Sequence, residues 1–463
     1  MIQQPRANVA NSPLPPGPTT YHPLGYMNAM HVDPLHFLHA LALTHGGIAR
    51  FRAGFWPVYL VAGPTAIRHL LRDNPANYSK NTFTYRMARS VTGNGLLTSD
   101  GQEWHQRRRL LQPIFARNHI AHYDAQITAV TSMMLAQWQQ LAEQGKPVDV
   151  SVEMTHLTLN IACKTFFNLD IVDQETASVS EAVLTLSQAF TKRFRSKTAP
   201  LWGLFGFPTP NNPALSRAQA TLNGVVEQAI HSLAQVETSS GNVLAQLIQT
   251  SDPETGQRLN RQALQTEILT LLLAGHETTA RALTWALYLL AKHTEVQSRL
   301  ADTIDALGNA NTLHFQGLNE LPYLRMVVEE TLRLYPPIWA FSRRAEADDL
   351  VDGYRMPKEA RILISPYVAH RLPEFWPEPE RFDPERFTEE SVAQRPEHAY
   401  IPFGAGPRQC IGKRFAMLEL QLVLAMIVQQ FAVRLASHEV VKAEASTTLT
   451  PNQPIYINLT RRT

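Results

Sequence analysis

The chain has 463 residues, of which 42 are Lys or Arg and 40 are Asp or Glu, so its formal net charge is only +2. This balance gives no overall signal for binding nucleic acid or an acidic partner. The chain has only two cysteines, far apart in sequence. This does not resemble the disulfide framework of a small secreted protein and suits a reducing cytosol.

Residues 1–18 contain five prolines, four of them between 13 and 18, among polar residues and are predicted to form a flexible or extended lead-in. The N-terminus does not show the charged segment followed by an apolar segment that is typical of a signal peptide. The most apolar stretch, Ile268 to Leu290, is interrupted by His276, Glu277 and Arg281. Because a membrane span needs about 18 or more apolar residues in a row, we expect no transmembrane segment and a cytoplasmic protein.

Helical spacing of apolar residues dominates the rest of the chain. It predicts helices over 115–142, 152–169, 179–195, 216–236, 262–293, 318–335 and 411–433. Short β-branched runs predict strands of a smaller sheet at Val58–Val61, Arg361–Ile364 and Tyr456–Leu459. Between residues 371 and 387, prolines and aromatic residues predict an ordered but irregular segment.

The loop from Phe403 to Gly412 places Cys410 among glycines, beside Arg408 and just before a predicted helix. A nearby cation and a helix N-terminus favour the thiolate, which is the form that binds metal. Gly406 and Gly412 allow the backbone to approach a flat ligand, and Arg408 can meet a carboxylate. These features fit a single axial sulfur on haem iron. A buried, inert cysteine is the structural alternative for Cys410 and the preferred interpretation for Cys163.

The predicted helix over 262–293 has an unusual centre, because Gly275 and Glu277 interrupt an otherwise apolar face. Glycine costs up to about 1 kcal/mol relative to alanine inside a helix, so close approach of a ligand is one explanation for Gly275. The hydroxyl of Thr278 can divert a backbone hydrogen bond and loosen the helix. His276 and Glu277 begin a zinc-hydrolase pattern, but position 280 is Ala and the second histidine is missing.

Taken together, the motifs resemble those of the cytochrome P-450 superfamily, over about Pro15 to the C-terminus. The cysteine loop matches the pattern F-x-x-G-x-R-x-C-x-G, and Ala274–Thr279 matches the oxygen-activation motif. The resemblance implies a mainly α-helical fold with small β-sheets, triangular in outline, with one long helix over the haem. It also replaces the two to four domains suggested by length with a single domain over 19–463.

The resemblance further implies haem b, bound as a cofactor by Cys410 as the iron ligand. Phe403, Gly406, Arg408, Gly412, Ala274 and Gly275 would contribute to its binding site. Thr278 would stabilise bound O2 and Glu277 would supply protons, whereas His276 and Thr279 are interpreted as structural.

Three further motifs carry the resemblance. Trp104 and Arg108 are four residues apart on one helix face and would meet the haem propionates, with Arg107 and Arg109 facing solvent. Arg343, favoured over Arg344, would be another propionate partner. Glu330, Arg333 and Arg386 would form a buried charge triad that locks the segment before the cysteine loop.

The expected reaction is hydroxylation or epoxidation of a hydrophobic small molecule: a fatty acid, terpenoid, steroid or polyketide-like compound. Pocket residues are expected at Phe83–Leu97, Leu184–Phe194, Leu271, Ala274, Thr278 and Ile338–Phe341, and Pro200–Pro208 is interpreted equally well as a lid or as a segment packed on the body. The chain contains no flavin or iron–sulfur module. Electrons would therefore come from a ferredoxin or flavodoxin with its NAD(P)H-dependent reductase, docked near Lys413, Arg414, Arg107 and Arg109.

Two alternatives stay open. A peroxide-driven enzyme of the same fold is the first, although the acid and alcohol at Glu277 and Thr278 favour O2 activation. The second is a haem-based gas or redox sensor, for which an apolar pocket and a proton-delivery pair would have no purpose.

Overall fold

The computed structural model describes residues 9–167, 213–235, 243–307 and 313–462, with short pieces between 178 and 189. The α-helices are α1 (Met27–Val32), α2 (Pro34–His45), α3 (Pro64–Arg68), α4 (Phe83–Thr92), α5 (Gly101–Leu111), α6 (Arg117–Ile120), α7 (Asp124–Glu143), α8 (Val150–Ala162), α9 (Pro213–Gln235), α10 (Val243–Gln249), α11 (Arg261–Lys292), α12 (Thr294–Asp305), α13 (Pro322–Leu334), α14 (Pro366–Ala369), α15 (Glu389–Gln394) and α16 (Lys413–Gln430). The strands are β1 (Ile48–Ala53), β2 (Trp56–Val61), β3 (Tyr78–Ser79), β4 (Val148–Asp149), β5 (Phe341–Ala345), β6 (Asp349–Val351), β7 (Tyr354–Met356), β8 (Arg361–Ile364), β9 (Phe431–Leu435), β10 (Ala443–Ala445), β11 (Leu449–Pro451) and β12 (Tyr456–Arg461).

The chain divides into two compact units. The first comprises the described residues of Met1–Met87, Ile338–Arg381 and Glu389–Cys410, and the second those of Ala88–Pro337, Phe382–Thr388 and Ile411–Thr463. The single domain expected over 19–463 stays a prediction. None of the helices in the described ranges is long and apolar enough to cross a lipid bilayer.

The first unit is built on a five-stranded sheet with the order β1-β2-β8-β5-β3. Strands β2 and β8 run parallel, with Val61 opposite Ile364, and the other pairs are antiparallel. Leu60, Val61 and Ile364 are fully buried, as expected for β-branched and aliphatic side chains in a central strand pair. This sheet is the scaffold that carries Arg343 on β5.

The N-terminal segment of the first unit begins with a 3-10 turn at Val9–Asn11 and then hydrogen-bonds to other parts of that unit. The backbone N–H of Arg50 donates to Pro16 O at 2.7 Å, and that of Arg355 donates to Pro13 O at 2.8 Å. Proline carbonyls remain available to a neighbouring strand although proline has no N–H. The flexible or extended lead-in expected over 1–18 stays a prediction; the described part of it is held by these bonds.

The second unit is organised around α11, which has 32 residues. Asn260 caps its start, because its side chain accepts a hydrogen bond from Ala263 N at 2.8 Å. The C-terminal half is packed all round, with Leu283, Leu287 and Leu290 fully buried. A helix that is apolar on every side belongs in a core, and α11 accordingly forms the centre of this unit.

Two small sheets belong to the second unit. One has the order β4-β12-β9, and the other is the hairpin β10–β11, in which Ala443 pairs with Pro451 and Ala445 with Leu449. The predicted helix over 411–433 ends at Gln430, because Phe431 and Val433 alternate with more exposed residues as strand β9.

Most predicted elements are confirmed, as is the mainly α class with small sheets. The helix expected over 115–142 begins at Asp124, after short turns, and the one over 152–169 changes to a π-helical turn at Cys163–Phe167. The segment 371–387 contains no α-helix, as predicted. Most of 179–195 and all of Pro200–Pro208 lie outside the described residues.

Candidate active site

The cysteine loop lies in the first unit and is shaped by its glycines. Cys410 N donates to Phe403 O at 2.9 Å, which closes the loop. Gly404 and Gly406 both have φ of +67°, a conformation that favours glycine. A Cβ atom at Gly406 would lie only 1.7 Å from Leu71 O. The loop therefore needs glycine at 406, and it holds Cys410 as an exposed thiol.

The end of the loop leads into α16 in the second unit. Gly412 is the N-cap residue, with an ordinary φ of −84°, and Gly412 O accepts from Ala416 N at 2.8 Å. The carbonyl of Leu71 gives Gly406 a reason to be glycine within the protein, and Gly412 starts the helix with an ordinary conformation. Approach of the two glycines to a flat ligand stays a prediction.

Arg343 and Arg344 have different environments on β5. Arg344 forms an ion pair with Glu359 at 2.6 Å near the surface. Arg343 is 5 % exposed, and its guanidinium donates to Ser342 O at 2.9 Å and lies near the rings of Phe341 and Tyr85. Within the described ranges no carboxylate pairs with it. A buried cation of this kind favours an anionic ligand group, which supports the choice of Arg343.

Helix α5 of the second unit carries Trp104 and Arg108 on one face. Asp100 caps the helix by accepting from Gly101 N at 3.3 Å. Trp104 is buried, and Arg108 is half-buried with its Nε donating to Gln112 Oε1 at 3.3 Å.

The expectation that Arg107 and Arg109 face solvent is wrong. Arg107 bonds the buried Glu267 and also pairs with Glu103 at 2.8 Å. Arg109 pairs with the buried Asp252 at 2.9 Å and lowers the pKa of that carboxyl to about 2. Acids distant in sequence thus neutralise both guanidiniums, which removes them from the expected basic patch.

The centre of α11 presents an accessible strip on a helix that is mostly buried. Ala274 is exposed, and Glu277 and Thr278 are half-buried. Thr278 Oγ1 donates to Ala274 O at 2.8 Å, so the hydroxyl bonds the backbone as anticipated. A Cβ atom at Gly275 would lie 3.4 Å from the Phe166 ring, an ordinary contact distance, so packing within the protein does not require glycine here.

His276 and Thr279 are buried on the other side of α11. His276 Nδ1 lies 3.0 Å from Leu272 O, and burial lowers the pKa of the imidazole. Thr279 Oγ1 donates to Gly275 O at 2.9 Å. These contacts agree with a structural role for both residues.

Glu330, Arg333 and Arg386 come together in the second unit. Arg333 donates two hydrogen bonds to Glu330, at 2.6 and 2.8 Å, and both side chains are fully buried. Arg386 Nε lies 3.6 Å from Glu330 Oε1, which also accepts from Asp383 N at 2.9 Å. Burial raises the pKa of Glu330, and the two guanidiniums oppose that shift. The geometry ties the turn at Pro384–Phe387 to α13.

Three polar residues that contact or neighbour the predicted site residues were not predicted from the sequence. Glu267 is fully buried on α11 and accepts from Leu96 N at 3.0 Å. Thr448, in the turn of hairpin β10–β11, donates to Glu277 Oε1 at 3.0 Å. Arg281 lies one turn after Glu277 and feels its charge. The position of Glu267, an acid amid Leu264 and Leu271, was the signal in the sequence for a buried acid. The contact made by Thr448 leaves no signal in the sequence.

Comparison with known proteins gives the family. A sequence model described as Cytochrome P450 matches residues 15–459. The chain belongs to the cytochrome P450 family. This P450 is 34 % identical over 411 residues to cyclooctat-9-en-7-ol 5-monooxygenase of Streptomyces melanosporofaciens, which covers 89 % of this chain and 87 % of the relative. It is 29 % identical over 440 residues to pentalenene oxygenase of Streptomyces avermitilis, covering 95 % of this chain and 96 % of the relative.

Solved structures confirm the predicted fold. A crystal structure of the cytochrome P450DA heme domain matches this P450 with a TM-score of 0.85 at 25 % identity, covering 98 % of this chain and 97 % of that chain. A second cytochrome P450 crystal structure matches with a TM-score of 0.84 at 26 % identity, over 97 % of this chain and all of the other. This P450 is therefore a monooxygenase by family, an oxidoreductase that incorporates oxygen and uses haem.

The candidate site residues of this P450 are chemically suited to binding haem. A thiol is a suitable donor for haem iron, and Cys410 is exposed on a loop of fixed backbone. The buried guanidinium of Arg343 pairs with no carboxylate in the described part of the chain, which suits a propionate. The exposed Ala274 offers a surface without a long side chain in the middle of a core helix.

Proposed function

We propose that this P450 hydroxylates or epoxidises a hydrophobic small molecule, with haem b as cofactor and electrons from a ferredoxin or flavodoxin and its NAD(P)H-dependent reductase in the cytoplasm. Among fatty acids, terpenoids, steroids and polyketide-like compounds, we favour terpenoids. The names of the two Streptomyces relatives, which refer to cyclooctat-9-en-7-ol and pentalenene, support that choice.

The accessible strip of Ala274, Glu277 and Thr278 carries this proposal. Ionisable and hydroxyl side chains are normally kept to the surface or fully paired in a core helix, and here they are reachable at its centre. An acid and an alcohol in this position are useful for proton delivery, which a gas sensor does not need.

Haem b, when bound, supplies the redox-active iron at which O2, two electrons and two protons are consumed while one oxygen atom enters the substrate and the other leaves as water. Cys410 would bind that iron, within the loop formed by Phe403, Gly406, Arg408 and Gly412. Trp104, Arg108 and Arg343 would hold the propionates, and Ala274 and Gly275 would lie against the macrocycle.

The proton path uses side chains of α11. Glu277 would take protons from solvent and pass them on, and the Thr278 hydroxyl would both donate and accept hydrogen bonds at the oxygen site. Glu330, Arg333 and Arg386 would act on folding and haem retention, since their charges are buried and mutually satisfied.

Carbon monoxide binding to the dithionite-reduced holoprotein tests the ligand. Thiolate ligation by Cys410 gives a strongly red-shifted Soret band. The Soret position of a histidine-ligated haem in folded protein would refute the assignment.

Thr278→Ala tests the activation of O2. We expect haem content to stay at the parent level while NADPH oxidation releases mainly peroxide, with product formation reduced by about 10²-fold. The substrate for this assay comes from a screen of lipophilic compounds, terpenoids included, for a low-spin to high-spin shift. Unchanged coupling of NADPH to product would show that the distal site is misassigned.

A further inference from the structure

The hairpin β10–β11 is anchored on α11 within the second unit. Trp285 Nε1 donates to Leu449 O at 3.0 Å, and Leu449 N donates to Pro337 O at 2.9 Å. Trp285 in turn stacks on Tyr335, with ring centroids 3.9 Å apart and an interplanar angle of 3°. The start of β11 therefore has a fixed position on the helix.

That anchor places the turn of the hairpin over the acid of the accessible strip. Thr448 precedes Leu449, is 2 % exposed and donates from Oγ1 to Glu277 Oε1 at 3.0 Å. Ser446 N donates to Thr448 O at 3.1 Å and closes the turn. A hydrogen bond to an ionised carboxylate is stronger than one between neutral groups, so Thr448 restricts the orientation of the Glu277 side chain.

A cation lies on the same side of the helix. Glu277, Arg281 and Trp285 follow one another at intervals of four residues and share a face, which the hairpin contacts at both ends. Arg281 Nε is enclosed and has no hydrogen-bond partner among the described residues. Its charge lies one helical turn from the Glu277 carboxylate, which accepts from Thr448.

We propose that Thr448 is a positioning residue that fixes the Glu277 carboxylate for proton delivery, so that the hairpin β10–β11 regulates how O2 reduction is divided between two outcomes. This inference rests on the proposed function. In the productive reaction, RH + O2 + 2 e⁻ + 2 H⁺ gives ROH + H2O. In the unproductive one, O2 + 2 e⁻ + 2 H⁺ gives H2O2. The two reactions consume the same numbers of electrons and protons. The position of the Glu277 carboxylate then decides how much O2 is reduced by each.

Substitutions at Thr448 test the proposal in the holoenzyme. Thr448→Val keeps the shape and removes the donor, whereas Thr448→Ser keeps the donor. We expect Val to raise the peroxide released per NADPH by about tenfold, the effect of losing a hydrogen bond to a charged group, and to change the solvent deuterium isotope effect. Ser should restore both values. Thr450→Val, which alters a hydroxyl bonded to Glu444 O in the same hairpin, should leave them at the parent level.

A second measurement does not depend on turnover. Urea unfolding of the parent, Thr448→Val, Glu277→Gln and the double variant should show non-additive shifts in midpoint, because the second substitution removes a bond already lost. Additive shifts would overturn the contact. A peroxide yield in Thr448→Val equal to the parent's would overturn the positioning role.

The two levels of inference fail in different ways. If the parent protein shows no red-shifted Soret band and forms no product, the proposed function fails, and the unfolding cycle still tests the Thr448–Glu277 bond. If the parent forms product and Thr448→Val behaves identically, only the positioning role fails.

Discussion

Glu419 is an acid placed where its charge is strongly disfavoured. It lies on α16 between Leu418 and Leu420, is 2 % exposed, and its Oε1 has no hydrogen-bond partner in the described ranges. Burial raises the pKa of this carboxyl well above its ordinary value of 4.5. Folding therefore favours the protonated form of Glu419, and this makes the stability of the fold dependent on pH.

Replacing Glu419 should weaken the dependence of folding stability on pH. Above the unfolded-state pKa of 4.5, the folded protein keeps a proton that the unfolded chain releases. The parent therefore loses about 1.4 kcal/mol of stability per pH unit until the raised pKa is reached. Glu419→Gln lacks this loss. Urea unfolding from pH 4 to 9 should show the gap between variant and parent widening with pH, and a constant gap would contradict the prediction.

At the scale of elements, a buried ion pair ties two helices and a loop together. Glu267 on α11 accepts from Leu96 N in the loop between α4 and α5, and it bonds Arg107 on α5. Burial raises the pKa of Glu267, and Arg107 opposes the shift. Leu96 and Leu97 belong to the expected substrate pocket, so this contact would fix one wall of that pocket.

Glu267→Ala should loosen that wall. Removing the buried partner leaves Arg107 with only the more exposed Glu103 and leaves Leu96 N without its acceptor. We expect a cost of about 3 kcal/mol, and hydrogen exchange should speed up at residues 96–99. Glu103→Ala is the matched control. Glu103 also pairs with Arg107 but is 44 % exposed, and its loss should cost less than about 1 kcal/mol. Equal losses of stability in the two variants would show that burial is not the reason.

At the scale of the whole molecule, the remaining exposed cations are candidates for the redox partner's docking surface. Arg107 and Arg109 are neutralised by acids, which leaves Lys413 and Arg414 at the start of α16, both exposed. Two positive charges steer an acidic partner mainly by raising its rate of association.

Reversing these charges should slow reduction of the haem by a ferredoxin. For Lys413→Glu with Arg414→Glu we expect a rate about tenfold lower at low salt, with the difference closing at high ionic strength. Reversing Lys146 and Arg217, which are also exposed, should have little effect. If a ferredoxin reduces the double variant as fast as the parent protein at every salt concentration, this docking surface is excluded.

The parts of the fold that sequence predicts are those set by local periodicity. The span of α11 was predicted within one residue at each end, because Asn260 and His293 bracket a long apolar pattern. Of the two loop glycines singled out from the sequence, Gly406 has a positive φ and Gly412 does not, and the positive φ of Gly404 was not predicted. Strand β9 was partly absorbed into a predicted helix because its apolar run continues directly from α16.

Contacts between distant segments were not predictable in the same way. Arg107 was one of two arginines expected to face solvent, and its partner Glu267 is 160 residues away. Thr448 lies 171 positions from Glu277. Such pairs depend on how helices and strands pack together, and no single stretch of sequence determines that packing. The polar residues around Glu277 could therefore not be predicted before the fold was known.

Gly406 has a practical consequence for protein engineering. Its Cα faces the carbonyl of Leu71, which belongs to the five-residue π turn His69–Asp73. Mutant libraries that randomise the cysteine loop should therefore vary 69–73 at the same time. Randomising the loop alone would return glycine at 406. Deleting one residue from that wide turn would move the obstructing carbonyl, but the φ of +67° at 406 would still disfavour alanine, so only variants that also change the loop backbone should accept another residue there.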